Sequence, residues 1–262
     1  MRTSVAAVLL LAAFGTPLAA QATRDRPTLI FTISGAYLDG IRLWTVPDQP
    51  VEDNTAGTLT DHFLLRRNVK KTVGAGFSGT YYHGAHLGIT AEAFLMGLGY
   101  SDICTIAEPA QSQLNVQRCQ SITDQDRSAA AVTTSAGVVY RIGADEFISP
   151  FLRASGGILI NNQSPLLLVG QADNGAELVI YDDPNTGTRL RPAFLLGAGA
   201  TIAAGRGYQI RWEIRDNIVG IQKVTGATAR GTVPPHETSY RHIFSLNVGL
   251  DVILEKRRGR RY

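Results

Sequence analysis

Residues 242–254, HIFSLNVGLDVIL, alternate between apolar and polar side chains over most of their length. A repeat of two residues is typical of a β-strand with one apolar and one polar face. The apolar face of such a strand contacts either the interior of a soluble protein or the lipid of a membrane. The segment therefore predicts a long β-strand, and the surroundings of its apolar face decide the fold. That face holds Phe244, Leu246, Val248, Leu250, Val252 and Leu254.

Seven further segments have the same character, so the sequence predicts eight strands, an even number as in bacterial membrane barrels. The connections between them alternate strictly between short and long. Structureless loops of roughly thirty residues are uncommon in compact soluble domains, whereas a barrel inserted from one side of a membrane has this rhythm. The predicted strands are 28–38, 69–83, 86–100, 129–142, 148–160, 191–204, 208–220 and 240–254. The long connections are 39–68, 101–128, 161–190 and 221–239.

The polar face of the predicted strand at 208–220 is charged, which fixes the direction of its side chains. Even positions from Tyr208 to Ile214 are apolar, whereas the odd positions are Gln209 and the charged residues Arg211, Glu213 and Arg215. A charged side chain at mid-depth on a lipid face costs ~2–4 kcal/mol, so the odd positions point into the barrel lumen. The same reasoning applied to the other strands predicts six lumen charges. They are Glu92, Arg153, Arg211, Glu213, Arg215 and Asp251.

An eight-stranded barrel has a lumen only wide enough to be filled by side chains. Charges packed there have to pair, because an unpaired buried charge costs several kcal/mol. We expect the six charges to form a static plug; a narrow pore gated by salt bridges is the alternative. A secreted soluble barrel that binds a ligand is a further alternative, in which the apolar face would line the interior. The connection rhythm, the strand length and the absence of charge from one face favour the membrane.

Aromatic residues near the predicted strand ends suit the girdles that membrane barrels place at the lipid–water interface. The residues assigned to these girdles are Tyr37, Trp44, Tyr81, Tyr82, Tyr100, Tyr140, Tyr208 and Tyr240.

The first 22 residues have the three parts of a cleaved export signal. Arg2 precedes an apolar run at 5–14, which is too short to cross a bilayer as a helix, and Ala20-Gln21-Ala22 fits the cleavage site. No run of eighteen apolar residues follows. The sequence therefore predicts an exported chain with no transmembrane helix.

Cys104 and Cys119 are the only cysteines in the chain. In an oxidising compartment an isolated pair is most simply one disulfide. The alternative, a metal site, is disfavoured because no histidine lies between or beside the two cysteines and no CxxC spacing occurs. We expect a disulfide that stiffens the 101–128 loop, and we expect no metal site and no cofactor.

The strand YQIRWEIRDNIVG (208–220) and the closing strand RHIFSLNVGLDVIL (241–254) resemble the small eight-stranded outer-membrane β-barrel family of Gram-negative bacteria, which includes the OmpA transmembrane domain and OmpX. The resemblance implies an all-β fold: an antiparallel up-and-down transmembrane barrel with short periplasmic turns and four long extracellular loops. It also implies an outer-membrane location with both termini in the periplasm and with outer-membrane lipids as partners. The apolar residues at 244–254 would then be the signal read by the barrel-assembly machinery.

The resemblance divides the chain into a signal peptide (1–22), a barrel domain (23–254) and a basic periplasmic tail (255–262). Members of the family usually stop on an aromatic residue at the strand end, whereas this chain continues through EKRRGRRY. We expect the tail to be a solvated end. Contact with anionic headgroups or the cell wall is the alternative.

Some barrels of this kind resemble lipid A acyltransferases or deacylases, which use Ser, His and acidic groups near the extracellular rim. The candidates here are His236, Glu237, Ser239, His242 and Ser245. Spacing cannot show the mutual geometry that a nucleophile and its base require, and rim histidines without a chemical role are common. We therefore expect no enzyme activity.

With 25 basic and 22 acidic residues, the chain shows no nucleic-acid-binding patch. The sequence predicts a structural or surface-interaction role carried by the extracellular loops, with the 101–128 loop contacting an extracellular ligand. The gated pore, the lipid-modifying enzyme and the soluble ligand-binding barrel remain as alternatives.

Overall fold

The computed structural model describes residues 28–53, 59–127, 129–143, 146–161, 163–183, 189–205 and 207–254. The expected signal peptide (1–22) and basic tail (255–262) lie outside the described residues. The elements in chain order are β1 (Thr28–Leu38), β2 (Ile41–Asp53), β3 (Leu59–Val69), β4 (Thr72–Tyr82), β5 (Leu87–Gly97), β6 (Tyr100–Ile106), α1 (Gln113–Asp124), β7 (Asp126–Arg127), β8 (Ala130–Arg141), β9 (Ile148–Asn161), β10 (Leu168–Gln171), β11 (Glu177–Tyr181), β12 (Arg189–Gly205), β13 (Tyr208–Val224) and β14 (His236–Leu254).

Eight of these strands close into an antiparallel barrel in the order β1-β14-β13-β12-β9-β8-β5-β4, with β4 returning to β1. Each of the eight predicted strands overlaps one strand of the ring. The predicted architecture of the small outer-membrane barrels, a closed ring of eight up-and-down strands, is confirmed.

The two faces of the barrel wall have opposite polarity. Side chains such as Ile89 and Val248 are 67% and 56% exposed on the outer wall, while their neighbours Thr90 and Asn247 are buried in the lumen. The register shows that this parity is kept around the ring, since β14 pairs without a shift to both β1 and β13. An apolar outer wall around a polar lumen is the arrangement of a membrane-spanning barrel and the reverse of a soluble one.

Inward-facing glycines let neighbouring strands approach closely where the ring is narrow. A Cβ added at Gly157 of β9 would lie 2.0 Å from the carbonyl oxygen of Thr134, and one at Gly137 of β8 would lie 2.1 Å from that of Ala154. Neither position has room for a side chain, so these glycines are needed for the curvature of the β8–β9 wall.

The long connections fold into additional secondary structure, which the sequence did not predict. The first connection forms the hairpin β2–β3, and the second forms β6, α1 and β7; together they make a four-stranded sheet in the order β2-β3-β6-β7. The third connection forms the hairpin β10–β11. The fourth is shorter than predicted, because β13 and β14 continue as a hairpin to the pair Val224 and His236.

We call the assembly of β2, β3, β6, β7, α1, β10 and β11 the cap. Its apolar core is continuous with an apolar layer at the adjoining end of the lumen. Among the described residues no helix has the length and apolarity to cross a membrane, since α1 has 12 residues. Buried side chains of the cap core include Leu43, Trp44, Val46, Phe63, Leu65, Tyr100, Ile122, Leu178, Ile180 and Tyr181. The layer in the barrel mouth includes Leu38, Phe94, Met96, Leu159, Ala193 and Ile243.

Candidate functional site

The lumen contains an ion-pair network centred on Glu92 of β5. Its two carboxylate oxygens accept hydrogen bonds from Arg153 of β9 at 2.7 Å and from Arg215 of β13 at 2.8 Å. Arg215 also donates to Glu213 on its own strand at 2.9 Å. The network thereby joins three strands across the barrel, and each of its four side chains is buried.

A second group of charges lies nearer the short turns. The Nε of Arg211 lies 3.0 and 3.1 Å from the two oxygens of Asp251, and Thr32 donates to Asp251 at 2.7 Å. The guanidinium of Arg211 also stands over the ring of Phe151, 4.6 Å from its centroid. All six predicted lumen charges therefore point into the barrel, and the structure brings them together as two clusters.

Side chains occupy the lumen along its length. Glu213 and Asp251 are 0% exposed, and the apolar layer beneath the cap covers the network from one end. At the other end the guanidinium of Arg141 stands over the ring of Tyr82 at 4.3 Å. Within the described residues, the six lumen charges are buried and each lies in an ion pair, as packing inside a narrow eight-stranded barrel requires.

The cap contains a buried ion pair that the sequence reasoning missed. Arg67 of β3 binds Asp102 of β6 through two hydrogen bonds of 2.6 and 2.7 Å. It also donates to the carbonyl oxygens of Pro165 and Leu167 at 2.9 Å each. This arginine ties the four-stranded sheet to the segment that leads into β10. The alternation of residues 59–69 was the available signal, since Phe63, Leu65, Arg67 and Val69 share one face.

The predicted disulfide is confirmed: Cys104 of β6 is bonded to Cys119 of α1. It fastens the helix to the four-stranded sheet. On the opposite side of the helix, Ser121 accepts a hydrogen bond from the backbone N–H of Gln171 in β10 at 2.7 Å. Residues 101–125 are thus an ordered part of the cap.

Buried polar groups fix the start of α1. Asp61 accepts hydrogen bonds from the backbone N–H groups of Gln111 and Ser112 at 2.7 and 3.2 Å and from Asn115 at 2.9 Å. Ser112 caps the helix and donates to Asp53. The Ser112 hydroxyl accepts a hydrogen bond from the N–H of Asn115, one of the orphan donors of the first helical turn, and the two carboxylates hold the capping segment in place. Burial lowers the pKa of Arg118, which donates to Asn115, and the charge of Asp53 opposes that shift.

Polar contacts also join the cap to the connection between β13 and β14. The side chain of Gln49 donates to the carbonyl oxygen of Thr228 at 2.7 Å and accepts from its N–H at 3.2 Å. The hydroxyl of Tyr181 donates to Gln49 at 2.9 Å, and burial raises the pKa of Tyr181 above its ordinary value of 10.0. The hairpin is therefore part of the same folded unit.

The candidate catalytic residues on β14 do not converge. His242 lies on the outer wall, where its Nδ1 is 2.7 Å from Asp216, whereas Ser245 lies in the lumen and accepts from Asn217 and Asn247. His236 contacts the carbonyl oxygen of Pro234. Among the described residues, no three His, Cys, Asp or Glu side chains group as metal ligands.

The aromatic prediction was wrong for three residues. Trp44 and Tyr100 are buried in the cap core, and Tyr82 is buried in the lumen. Trp44 and Tyr100 belong to strands of the cap and not of the barrel, and Tyr82 has the inward parity of β4 beside the outward Tyr81, so position near a predicted strand end did not determine the facing. The remaining members of the set are exposed on the outer wall: Tyr37, Tyr81, Tyr140, Tyr208 and Tyr240.

No protein-family model and no curated protein matches the chain. Among solved structures, the chain is similar to Neisserial surface protein A, with 10% identity and a TM-score of 0.43 over 87% of this chain and 99% of that one. It is similar to the outer membrane protein AlkL, solved in lipid bilayers, with 10% identity and a TM-score of 0.42 over 94% and 99%. It is also similar to Ail of Yersinia pestis, solved with the heparin analogue sucrose octasulfate, with 13% identity and a TM-score of 0.38 over 86% and 99%. The fold assignment depends on the strand order and register of the chain itself.

Proposed function

We propose that the protein is an outer-membrane barrel that anchors a folded extracellular cap, and that it acts in surface structure or interaction. The single observation that carries this proposal is the inversion of polarity between the two regions. The barrel exposes apolar side chains and buries charges, whereas the cap has an apolar core that also encloses a few hydrogen-bonded polar groups.

The outer wall supports the membrane location. A continuous ring of exposed aliphatic and aromatic side chains is incompatible with water but matches the hydrocarbon core of a bilayer. Leu29 pairs with Leu254, so the start of β1 and the end of β14 lie together, at the end of the barrel that carries the short turns. In an outer membrane that end faces the periplasm, and the cap faces the outside.

The outward face of β14 supports an assembly role for its apolar residues. Of the six residues in the proposed signal, Phe244, Leu246, Val248, Leu250 and Leu254 are exposed on the outer wall. They are accessible to the barrel-assembly machinery and afterwards contact lipid.

The lumen supports an anchoring role over a conducting one. Opening a path past the Glu92 network would require breaking ion pairs whose members are shielded from water. The apolar layer below the cap would have to separate as well. The barrel therefore acts as a closed support.

The cap supports a surface-interaction role. Its strands and helix share one core and are fastened by the Cys104–Cys119 disulfide, so it presents a rigid surface. A preorganised surface loses little conformational entropy when it binds a partner. The segment 101–128, which supplies β6 and α1, is the proposed contact region.

The membrane location is tested by cell fractionation, gel mobility and proteolysis. The folded protein should remain with the outer membrane, run differently on gels before and after boiling, and lose only cap segments to protease added outside intact cells. A mature chain that stays folded and monodisperse in water without detergent would overturn the proposal.

Conductance in planar bilayers separates the closed support from the gated pore. The wild-type protein should show no steady single-channel current. The Arg211→Ala variant loses the ion pair with Asp251 but keeps the Glu92 network, so it should show at most brief openings. Stable wild-type currents would establish the pore instead.

We also propose that the protein has no lipid-modifying activity, because the His242–Asp216 pair and Ser245 are on opposite sides of the barrel wall. Lipid A from cells that overproduce the protein should be unchanged by mass spectrometry. A loss or gain of an acyl chain that disappears in His242→Ala would establish an enzyme.

A further inference from the structure

A cationic cleft lies between the cap and the β13–β14 hairpin, outside the lumen. Its volume is about 410 Å³, within the range of small-molecule sites. Among the described residues its lining holds three cationic side chains and no carboxylate. The lining consists of Arg42, Leu43, Trp44, Thr45, Lys223, Val224, Thr225 and Arg241.

The three cationic side chains differ in the hydrogen bonds and ion pairs that they already form. Arg241 donates to the carbonyl oxygen of Leu43 at 2.9 Å, and its buried Nε has no hydrogen-bond partner within the described residues. Lys223 pairs with Glu237 at 2.7 Å. Arg42 is exposed and forms no ion pair with another described residue. Glu237, which lies outside the lining, neutralises Lys223, and the two arginines leave the cleft with an excess of positive charge.

The backbone at the cleft comes from the edge of a sheet. β2 is the outer strand of the four-stranded sheet, and its pairing with β3 shifts between Arg42 and Trp44. An edge strand has one row of backbone groups without partners in its own sheet. The hydroxyl of Thr45, which is exposed, adds a donor to the guanidinium groups.

The cleft lies just beyond the apolar outer wall. The N–H of Asp39, in the short connection between β1 and β2, donates to the carbonyl oxygen of Phe244, and Arg241 precedes Phe244 by three residues on β14. Tyr240 and Phe244 on either side of Arg241 are exposed outward. In the proposed membrane orientation, this is the level at which the headgroups of the outer leaflet meet water.

We infer that this cleft binds a phosphate group, with Arg42 and Arg241 as the guanidinium donors and Lys223 as a point charge. Guanidinium groups match the geometry of phosphate oxygens, and charge-assisted hydrogen bonds are stronger than neutral ones. The phosphate belongs to a headgroup of the outer leaflet or to a soluble phosphorylated molecule. The level of the cleft relative to lipid depends on the proposed membrane location, whereas its preference for anions does not.

The test uses the full mature chain in phosphatidylcholine nanodiscs, with the arginine Nε–H groups observed by ¹H–¹⁵N NMR. One arm adds inorganic pyrophosphate in solution, and the other replaces part of the lipid with phosphatidic acid. The signals of Arg42 and Arg241 should shift saturably in at least one arm, while that of Arg230, which contacts the carbonyl oxygen of Glu52 elsewhere in the cap, should not.

Arg42→Gln should weaken the binding about tenfold or more, because it removes a charge-assisted contact. Arg42 is exposed, so the variant should keep the gel mobility of the folded protein. The matched control is Lys71→Gln, an exposed cation that pairs with Asp39 at 3.6 Å outside the cleft, and its effect should be less than about twofold.

The outcomes separate the sources of the phosphate. A response to phosphatidic acid alone assigns a lipid headgroup, and a response to pyrophosphate alone assigns a soluble phosphate. No saturable shift in either arm, or equal weakening by Arg42→Gln and Lys71→Gln, would overturn the site. Failure of the membrane proposal is distinguishable, because the protein would then not enter nanodiscs at all.

Discussion

The barrel and the cap are built from one chain but bury opposite kinds of side chain. The barrel interior is held by Glu92, Asp251 and their arginine partners, whereas the cap interior consists largely of side chains such as Phe63 and Ile180. In the proposed membrane location the difference follows from the solvent outside each region, because the barrel wall would contact lipid and the cap would contact water. The polarity of a face is therefore informative only when its surroundings are known.

The two regions also use buried ion pairs differently. In the barrel, Glu92 is shared by Arg153 and Arg215, so one carboxylate holds two strands. In the cap, Arg67 has one carboxylate partner and two backbone carbonyls. We expect the lumen network to be the more sensitive to removal of its carboxylate, because loss of Glu92 affects two arginines, whereas Arg67 would keep two backbone carbonyl acceptors.

Glu92→Ala is predicted to have the largest effect on stability. It leaves Arg153 as a buried charge without a counterion, and removal of one partner from a buried pair costs about 3–5 kcal/mol. Urea unfolding in detergent micelles, followed by gel mobility, measures the loss. The control is Thr90→Ala on the same strand, which removes the neutral 3.0 Å hydrogen bond to Thr80 and should cost about 1 kcal/mol. Equal losses of unfolding free energy in the two variants would mean that water already screens the lumen charges, and this would favour the gated pore.

Leu65→Ala is predicted to destabilise the cap while the barrel remains closed. Leu65 is fully buried in the cap core, and a leucine-to-alanine change at such a site costs about 2–5 kcal/mol. Hydrogen exchange should increase in β2, β3, β6 and α1, with no change in the barrel strands. Leu64→Ala, at the partly exposed neighbouring position, should have a smaller effect. Simultaneous loss of barrel protection would show that the cap and barrel unfold as one unit.

The barrel was predictable from the sequence because one face of its strands is almost free of charge; the exception on β13 is Asp216, which pairs with His242 on the outer wall. The facing of Glu92, Arg153 and Arg211 followed from the cost of charge in lipid, and the structure places all three in the lumen. Their partners did not follow, because Glu92 meets Arg215 across 123 positions of sequence. Alternation determines the face of a strand but not which inward charges meet in space.

The cap was not predictable by the same reasoning. Its strand β3 buries Asp61 and Arg67 together with Phe63 and Leu65, so neither face is purely apolar. The helix α1 likewise buries a polar residue, Asn115, among its inward positions. The charges are satisfied by distant groups, such as the carbonyl oxygen of Pro165 for Arg67. The buried face of β3 therefore mixes charged and apolar side chains, so its alternation did not separate a polar from an apolar face, and the segment was predicted to be a loop.

Removal of the disulfide is predicted to weaken the cap alone. The Cys104–Cys119 bond spans 15 positions, for which the chain-entropy model gives about 3 kcal/mol. Proteolysis of the Cys104→Ser, Cys119→Ser double variant should begin within 101–128, while the gel mobility of the folded barrel is unchanged. The wild-type protein treated with reductant is the matched control and should show the same cuts. Resistance equal to that of the oxidised protein would show that the cap core alone fixes α1.

The smallest effect is expected from the buried hydroxyl of Tyr181, whose ionisation should make the stability of the cap depend on pH. Burial raises its pKa above 10.0, so the folded cap keeps the proton that the unfolded chain releases as pH rises past 10. The cap should therefore lose stability above pH 10, by up to about 1.4 kcal/mol per pH unit, until the folded hydroxyl also ionises. Tyr181→Phe loses the 2.9 Å hydrogen bond to Gln49 but has no proton to release. The free energy of opening of the cap, measured by hydrogen exchange in β11, should therefore be higher in the wild type than in the variant at pH 9, and this difference should become smaller by pH 11. Parallel curves would show that ionisation of Tyr181 is not coupled to opening of the cap, and that its hydroxyl is reached by solvent before the core separates.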